Sequence, residues 1–468
     1  MPRFLTPDRS GTFSFRSLAP SCLLYVHHRV SMSTMIRQFL TCLVIGVTTM
    51  VGVDVRADVP DPSRTAVTLR FVSWKADHPR AWDEALAKFA ATHPHISVVR
   101  EIAPHSSTAY HDLLTQKLKN HDATVDLFFM DIIWVPEFAS AGWALTLDHL
   151  FPLVDRQQFL PATIRTGQYG DHVYGVPSRI DSGMLFYRTD LLARYGFQPP
   201  KTWEELISQA DAIVQQEKKT HPAMRGYSGQ FKQYEGLICT MIEFIGSRGG
   251  RLLNEDLTSS LLSTPTNLAA VRFVRDRIIG RTASRAVLTY QEPESVVPFV
   301  QGNAIFHRNW PYTWEIANDP RRSRVADNVG VAPLPGMAGG TATTALGGWL
   351  YAISPYSSHP QEAWELVRFL SSEVMQRHFA LTAGIAPSRT AVLQDETVLQ
   401  ANPQFRAQLA MFHGATERPR TPLYPAISNI LQRYFSRALA FQDVDLATEA
   451  GRADAQINRL LELSHRAR

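Results

Sequence analysis

Residues 65–74 read TAVTLRFVSW, a run of β-branched and aromatic residues ending in a tryptophan. That composition over that length is the pattern of a buried strand. The next residues give it a setting. From Arg80 to Thr92, Trp82, Ala85, Leu86 and Phe89 recur at helical spacing. Residues 96–102 return to strand character. Ser106 and Ser107 then offer N-caps to a helix reaching Lys119, with Tyr110, Leu113, Leu114 and Leu118 along one face. Residues 125–130 make a third apolar strand. The alternation β-α-β-α-β predicts a mainly parallel sheet with helices on both faces. Ligands of such sheets bind beyond the carboxyl ends of the strands, where Asp131 and Ser73-Trp74 fall.

Upstream, Met35-Ile36-Arg37 precedes an apolar run over 39–53, and Val55-Arg56-Ala57 follows it. This is the layout of a secretory signal peptide, so residues 1–57 are expected to be a precursor segment and the mature protein periplasmic. A retained anchor helix is the alternative, although the run is short for a membrane span. The whole chain has 468 residues, 47 Lys and Arg and 43 Asp and Glu. Six arginines and two acids leave with residues 1–57, and the remaining 41 basic and 41 acidic residues balance. A neutral surface carries no electrostatic footprint for nucleic acid or anionic lipid. Cys22 and Cys42 also leave, so Cys239 remains alone and no intrachain disulfide can form. No cysteine–histidine cluster has zinc spacing, and neither a metal nor a cofactor is expected.

Downstream, Tyr174-Gly175-Val176-Pro177, Asp181 and a strand over 183–187 read as a segment crossing between two lobes. Thr202-Trp203-Glu204-Glu205 resembles a capping box opening a helix to Glu217. Helices are expected over 234–244, 269–279 and 360–372, and strands over 303–307 and 329–331. Gly336 to Thr344 reads as a second, flexible crossing. In ALGGWLYAIS (345–354) the glycines are read as preceding the strand, which puts Trp349 at its mouth.

No G-x-S-x-G, H-E-x-x-H or G-x-x-x-x-G-K-[ST] motif occurs, and no catalytic residue stands out. The aromatics carry more. FHRNWPYTWEI places Trp310, Tyr312 and Trp314 within five residues, with Pro311 interrupting any helix. Core plugs are one reading of these rings. A wet cleft is the other: an indole face covers the C–H face of a sugar, while carboxylates, amides or guanidinium bond its hydroxyl rim.

Taken in order, YGVPSRIDSGMLFYRTDLLARYGFQPPKTWEEL, QYEGL, GGRLLNE, GNAIFHRNWPYTW, GVAPLPG, GGWLYAIS and RPRTPLYPAIS resemble the extracellular solute-binding proteins of ABC sugar importers, nearest their trehalose/maltose-binding branch. The resemblance implies an α/β, two-lobed periplasmic-binding-protein fold with a hinge crossed three times. The lobes would be 58–180 plus 347–388 and 181–346 plus 389–468. It implies a monomer that captures a disaccharide or oligosaccharide, performs no chemistry, and delivers its ligand to the transmembrane subunits of an ABC permease. Carried over singly, Asp131 is the first-lobe carboxylate for sugar hydroxyls and Asp181 a polar residue of the first crossing. Trp310 and Tyr312 form an aromatic platform. Gly348 and Trp349 supply a backbone contact and a stacking indole, with Gly347 and Gly348 clearing room for the ligand. Arg418 reaches the sugar, and Ser107 and Glu235 are further contacts. The same acids keep a secreted carbohydrate-active hydrolase open, and Arg179, Arg308 and Arg418 keep open a binder of another solute such as glycerol phosphate. Arg179 departs from the family pattern, which puts an aromatic or small residue there.

Overall fold

The computed structural model describes residues 65–74 and 78–466. The expected signal segment, 1–57, lies outside them. The chain opens with β1 (Val67–Ser73), α1 (Pro79–Thr92), β2 (Ile96–Ile102), α2 (Ser107–Lys119) and β3 (Leu127–Asp131), the alternation read from the sequence. β1 pairs in parallel with β2 and β3. Leu69, Phe71, Leu127 and Phe128 are fully buried between the helices. Ser106 caps α2 by accepting from the Ala109 N–H at 3.4 Å, a contact worth about 1 kcal/mol.

β4 (Val176–Ser182) leaves this first sheet and runs directly into β5 (Met184–Arg188) of a second one. There the chain forms α3 (Trp203–Glu217), β6 (Arg225–Ser228), α4 (Glu235–Gly246), α5 (Glu292–Val300), β7 (Ala304–Asn309) and β8 (Val329–Ala332). The second sheet has the order β8-β5-β7-β6. Thr202 caps α3 through the Glu205 N–H at 3.1 Å, but the Glu205 carboxylate accepts from Lys201 N–H, so only half of the expected capping box is made.

The chain then returns through β9 (Thr344–Ile353), which lies between β3 and β4 and is antiparallel to both. β10 (Ala415–Thr416) adds to its start, and α6 (Tyr424–Ala440) packs with the second body. Polypeptide therefore passes between the two sheets at 182–184, 332–344 and 416–424. Residues 389–405, which the sequence reading grouped with the second lobe, pack on the first. Gln376 accepts from the N–H groups of Ser388 and Arg389 at 2.9 and 2.8 Å, and Thr390 N–H donates to the Gln158 carbonyl.

β9 is ten residues long and buried throughout. Trp349 is thus inside a strand, opposite Asp131 of β3 and Arg179 of β4, and not at a strand mouth. The two glycines belong to the strand. They serve packing: a Cβ on Gly347 would sit 3.2 Å from the Trp310 ring, and one on Gly348 would sit 2.9 Å from the Arg179 carbonyl oxygen. The pairing with β4 shifts register between Trp349 and Leu350, which bends the strand where it faces the crevice.

Candidate functional site

A crevice of about 560 Å³, mouth included, opens between the two sheets. All nine residues singled out from the sequence line it: Ser107, Asp131, Asp181, Glu235, Trp310, Tyr312, Gly348, Trp349 and Arg418. They come from separate elements. Asp131 ends β3, Ser107 opens α2, Asp181 lies on β4, Glu235 opens α4, and Trp310 and Tyr312 follow β7. Trp74, His105, Arg179, Gly236, Cys239, Glu292 and Gly347 complete the wall.

Arg418 holds the centre. Its guanidinium donates to Glu235 Oε1 at 3.0 Å, to Asp131 Oδ1 at 3.3 Å and to the Leu346 carbonyl at 3.4 Å. Asp131 belongs to the first sheet and Glu235 to a helix of the second body, so one buried cation ties both walls. Glu235 also accepts from the Tyr424 hydroxyl at 2.6 Å and from Ser428. It sits at the N-terminus of a helix, where the backbone dipole favours a negative charge. Burial pushes the Asp131 carboxyl above its ordinary range, against the pull of Arg418. Burial opposes the Arg418 charge, but the surrounding acids outweigh it and the guanidinium stays protonated. Arg418 Nε is buried with no protein partner.

Asp181 pairs with Arg179 at 3.2 Å, and burial raises its carboxyl despite that neighbour. The ion pairs between wall residues are therefore realised for both Asp181 and Arg418. The Arg179 guanidinium lies over the rings of Trp74 at 5.4 Å and Trp349 at 5.7 Å. A second buried pair stands behind the aromatic platform. Arg308 donates to both oxygens of Glu243, at 2.9 and 2.5 Å, and lies 4.2 Å over the Trp310 ring. Glu243 also accepts from the Ala345 N–H at 3.2 Å, which fixes the start of β9 to the second body.

His105, Trp74, Trp349 and Tyr110 stack in a column, with successive centroids 5.1, 5.1 and 5.9 Å apart. Trp349 is only 6% exposed and is stacked on Trp74 and Tyr110, so it does not offer the crevice the bare face the sequence suggested. Trp310 and Tyr312 are half-buried at the wall. The residues missed from sequence are instructive. Trp74 directly follows the first strand and was legible there. Glu292 follows Gln291 at a helix start and reads as an ordinary first-turn acid. Among the described residues, no group of three His, Cys, Asp or Glu is placed to hold a metal ion.

Two α/β bodies, three connecting passages and an aromatic, carboxylate-lined crevice between them define a two-lobed solute-binding protein of the MalE type. The chain belongs to the bacterial extracellular solute-binding protein family, whose sequence profile matches residues 75–377. It is 35% identical over 319 residues to a probable ABC transporter-binding protein of Deinococcus radiodurans, covering 68% of this chain and 75% of that one. Among solved structures, maltose-bound MalE3 of T. maritima superposes with a TM-score of 0.77 at 32% identity, over 85% of this chain and 100% of that one. An ABC transporter solute-binding protein of Agrobacterium radiobacter K84, in complex with ribitol, superposes at 0.76 with 21% identity, over 85% and 99%. No helix among the described residues is long and apolar enough to cross a membrane.

Proposed function

We propose that this protein captures a sugar of the trehalose/maltose type, a disaccharide or short oligosaccharide, in the crevice and hands it to an ABC permease outside the cytoplasmic membrane. One observation carries the reading: nine residues carried over from the resemblance to sugar binders, scattered over more than three hundred positions, converge on one cavity. The maltose-bound T. maritima relative supports the ligand class. Trp310 and Tyr312 supply the stacking platform, beside the Trp74–Trp349 stack. Asp131, Asp181, Glu235 and Arg418 supply partners for hydroxyls, and analogues lacking those hydroxyls are rejected because buried groups would be left unpaired. The lobes divide at the three passages, and contacts from both walls favour a closed form over an open one. Gly347 and Gly348 act on the ligand indirectly, by letting Trp310 and β4 come close.

The test is incubation of the purified protein with a pool of maltose, trehalose and longer maltodextrins, analysed before and after. A sugar retained unaltered agrees with the reading; shortened products would make the protein a hydrolase, and no retention would set sugars aside.

A further inference from the structure

Four carboxylates line the crevice, Asp131, Asp181, Glu235 and Glu292, against two guanidinium groups, Arg179 and Arg418. Both cations are committed. Arg179 pairs with Asp181 at 3.2 Å, and Arg418 is shared between Asp131 at 3.3 Å and Glu235 at 3.0 Å. Glu292 is left over. It is 8% exposed, yet among the described residues it makes no ion pair. Its hydrogen-bonding neighbours are neutral: Oε1 accepts the Trp310 indole N–H at a long 3.3 Å and the Tyr234 hydroxyl lies close by, while the Arg308 guanidinium, 4.2 Å over the Trp310 ring, is engaged by Glu243. A carboxylate withdrawn from water without a cation is costly, and one that persists in a cavity wall is short of donors. The donors it lacks are those a ligand brings. Its position fits the task, because the side chain bonds the indole that forms the platform and so meets the edge of whatever ring rests there.

Resting on the sugar-binding reading above, we infer that Glu292 is a further ligand-binding residue, which accepts hydroxyl or ammonium hydrogens from a saccharide and turns away phosphorylated or carboxylated ones. The excess of acid over base in the wall repels an anion, and both arginines already carry carboxylate partners. The alternative of a glycerol phosphate ligand therefore loses its basis in the three arginines: Arg308 is also consumed, by Glu243. A neutral sugar gains a charge-assisted hydrogen bond at Glu292, and an amino sugar gains an ion pair as well.

Glu292→Gln removes the charge and keeps the shape and the acceptor for Trp310. Titration calorimetry of wild type and variant with maltose, trehalose, glucosamine and glucose 6-phosphate, together with the melting temperature of the empty proteins, tests the assignment. The expected result is wild-type binding of a neutral or amino sugar but not of glucose 6-phosphate, and a loss of about tenfold or more in the variant, the scale of a removed charge-assisted bond. The empty variant is expected to melt at the same temperature or higher, since an uncompensated buried charge has gone. A purely structural role would instead lower the melting temperature. Wild-type affinity in the variant, or wild-type preference for glucose 6-phosphate, would overturn the assignment while leaving the crevice a binding site. Failure of the wild type to bind any of the sugars would defeat the sugar reading itself and this inference with it.

Discussion

Replacing Arg418 with methionine keeps the aliphatic stem and deletes the charge that joins the two walls. Arg418 is 4% exposed, and its partners Asp131 and Glu235 are 6% and 5% exposed. Two carboxylates would be stranded at once. Breaking a buried pair by removing one partner costs about 3–5 kcal/mol, because the remaining charge is uncompensated. Some relief is built in: Tyr424 and Ser428 still donate to Glu235, and the Ile133 N–H still donates to Asp131. The stranded acids can also take up protons. Burial already raises the Asp131 carboxyl, Arg418 holds it down, and its loss lifts the value further. A carboxyl raised in the native state gives stability that is present below its ordinary value and lost as pH rises through the raised one. The penalty should thus be larger at pH 8 than at pH 5. Urea melts of wild type and variant followed by tryptophan fluorescence at both pH values measure it. A loss below about 1 kcal/mol at pH 8, the size of an exposed pair, with no difference at pH 5 would refute the bridging role.

Other substitutions separate packing from binding. Trp349→Ala is expected to cost about 3–5 kcal/mol of stability in urea melts, since the ring sits inside a stacked column. Trp310→Ala, at a half-buried ring, should weaken sugar binding by about tenfold or more in calorimetry with a smaller change in the melting point. His307 is fully buried between the Ser228 carbonyl and the Asn309 amide, and burial pushes its pKa down to about 3. Its neutral form supports stability fully above the ordinary value of 6.5, and that support fades as pH falls towards 3. His307→Gln should therefore flatten the acid side of a stability–pH profile between pH 6.5 and 4.

The strands that build the first sheet were legible because each is a short apolar run followed by a helical repeat, and β1, α1, β2, α2 and β3 fall within two residues of their expected positions. β9 was legible as a strand but not in its extent. Paired glycines signal a break to a local reading, whereas here they admit the Trp310 ring and the β4 backbone, which only tertiary structure reveals. The convergence of nine residues on one crevice came from resemblance, since spacing along the chain cannot bring Ser107 to Arg418. Trp349 illustrates the limit of that route. Its position at the site was foreseen, but its covered face depends on Trp74 and Tyr110, which lie far away in sequence. Glu292 left no signal, because its singularity is the lack of an ion-pair partner among the described residues.

The most direct test of the whole account is native mass spectrometry of the protein isolated from its own host, followed by release of whatever it carries. An intact, uncharged or amino-bearing saccharide held by the folded protein and freed on unfolding is the predicted result. A phosphorylated compound, a metal ion or a peptide in the crevice would contradict it.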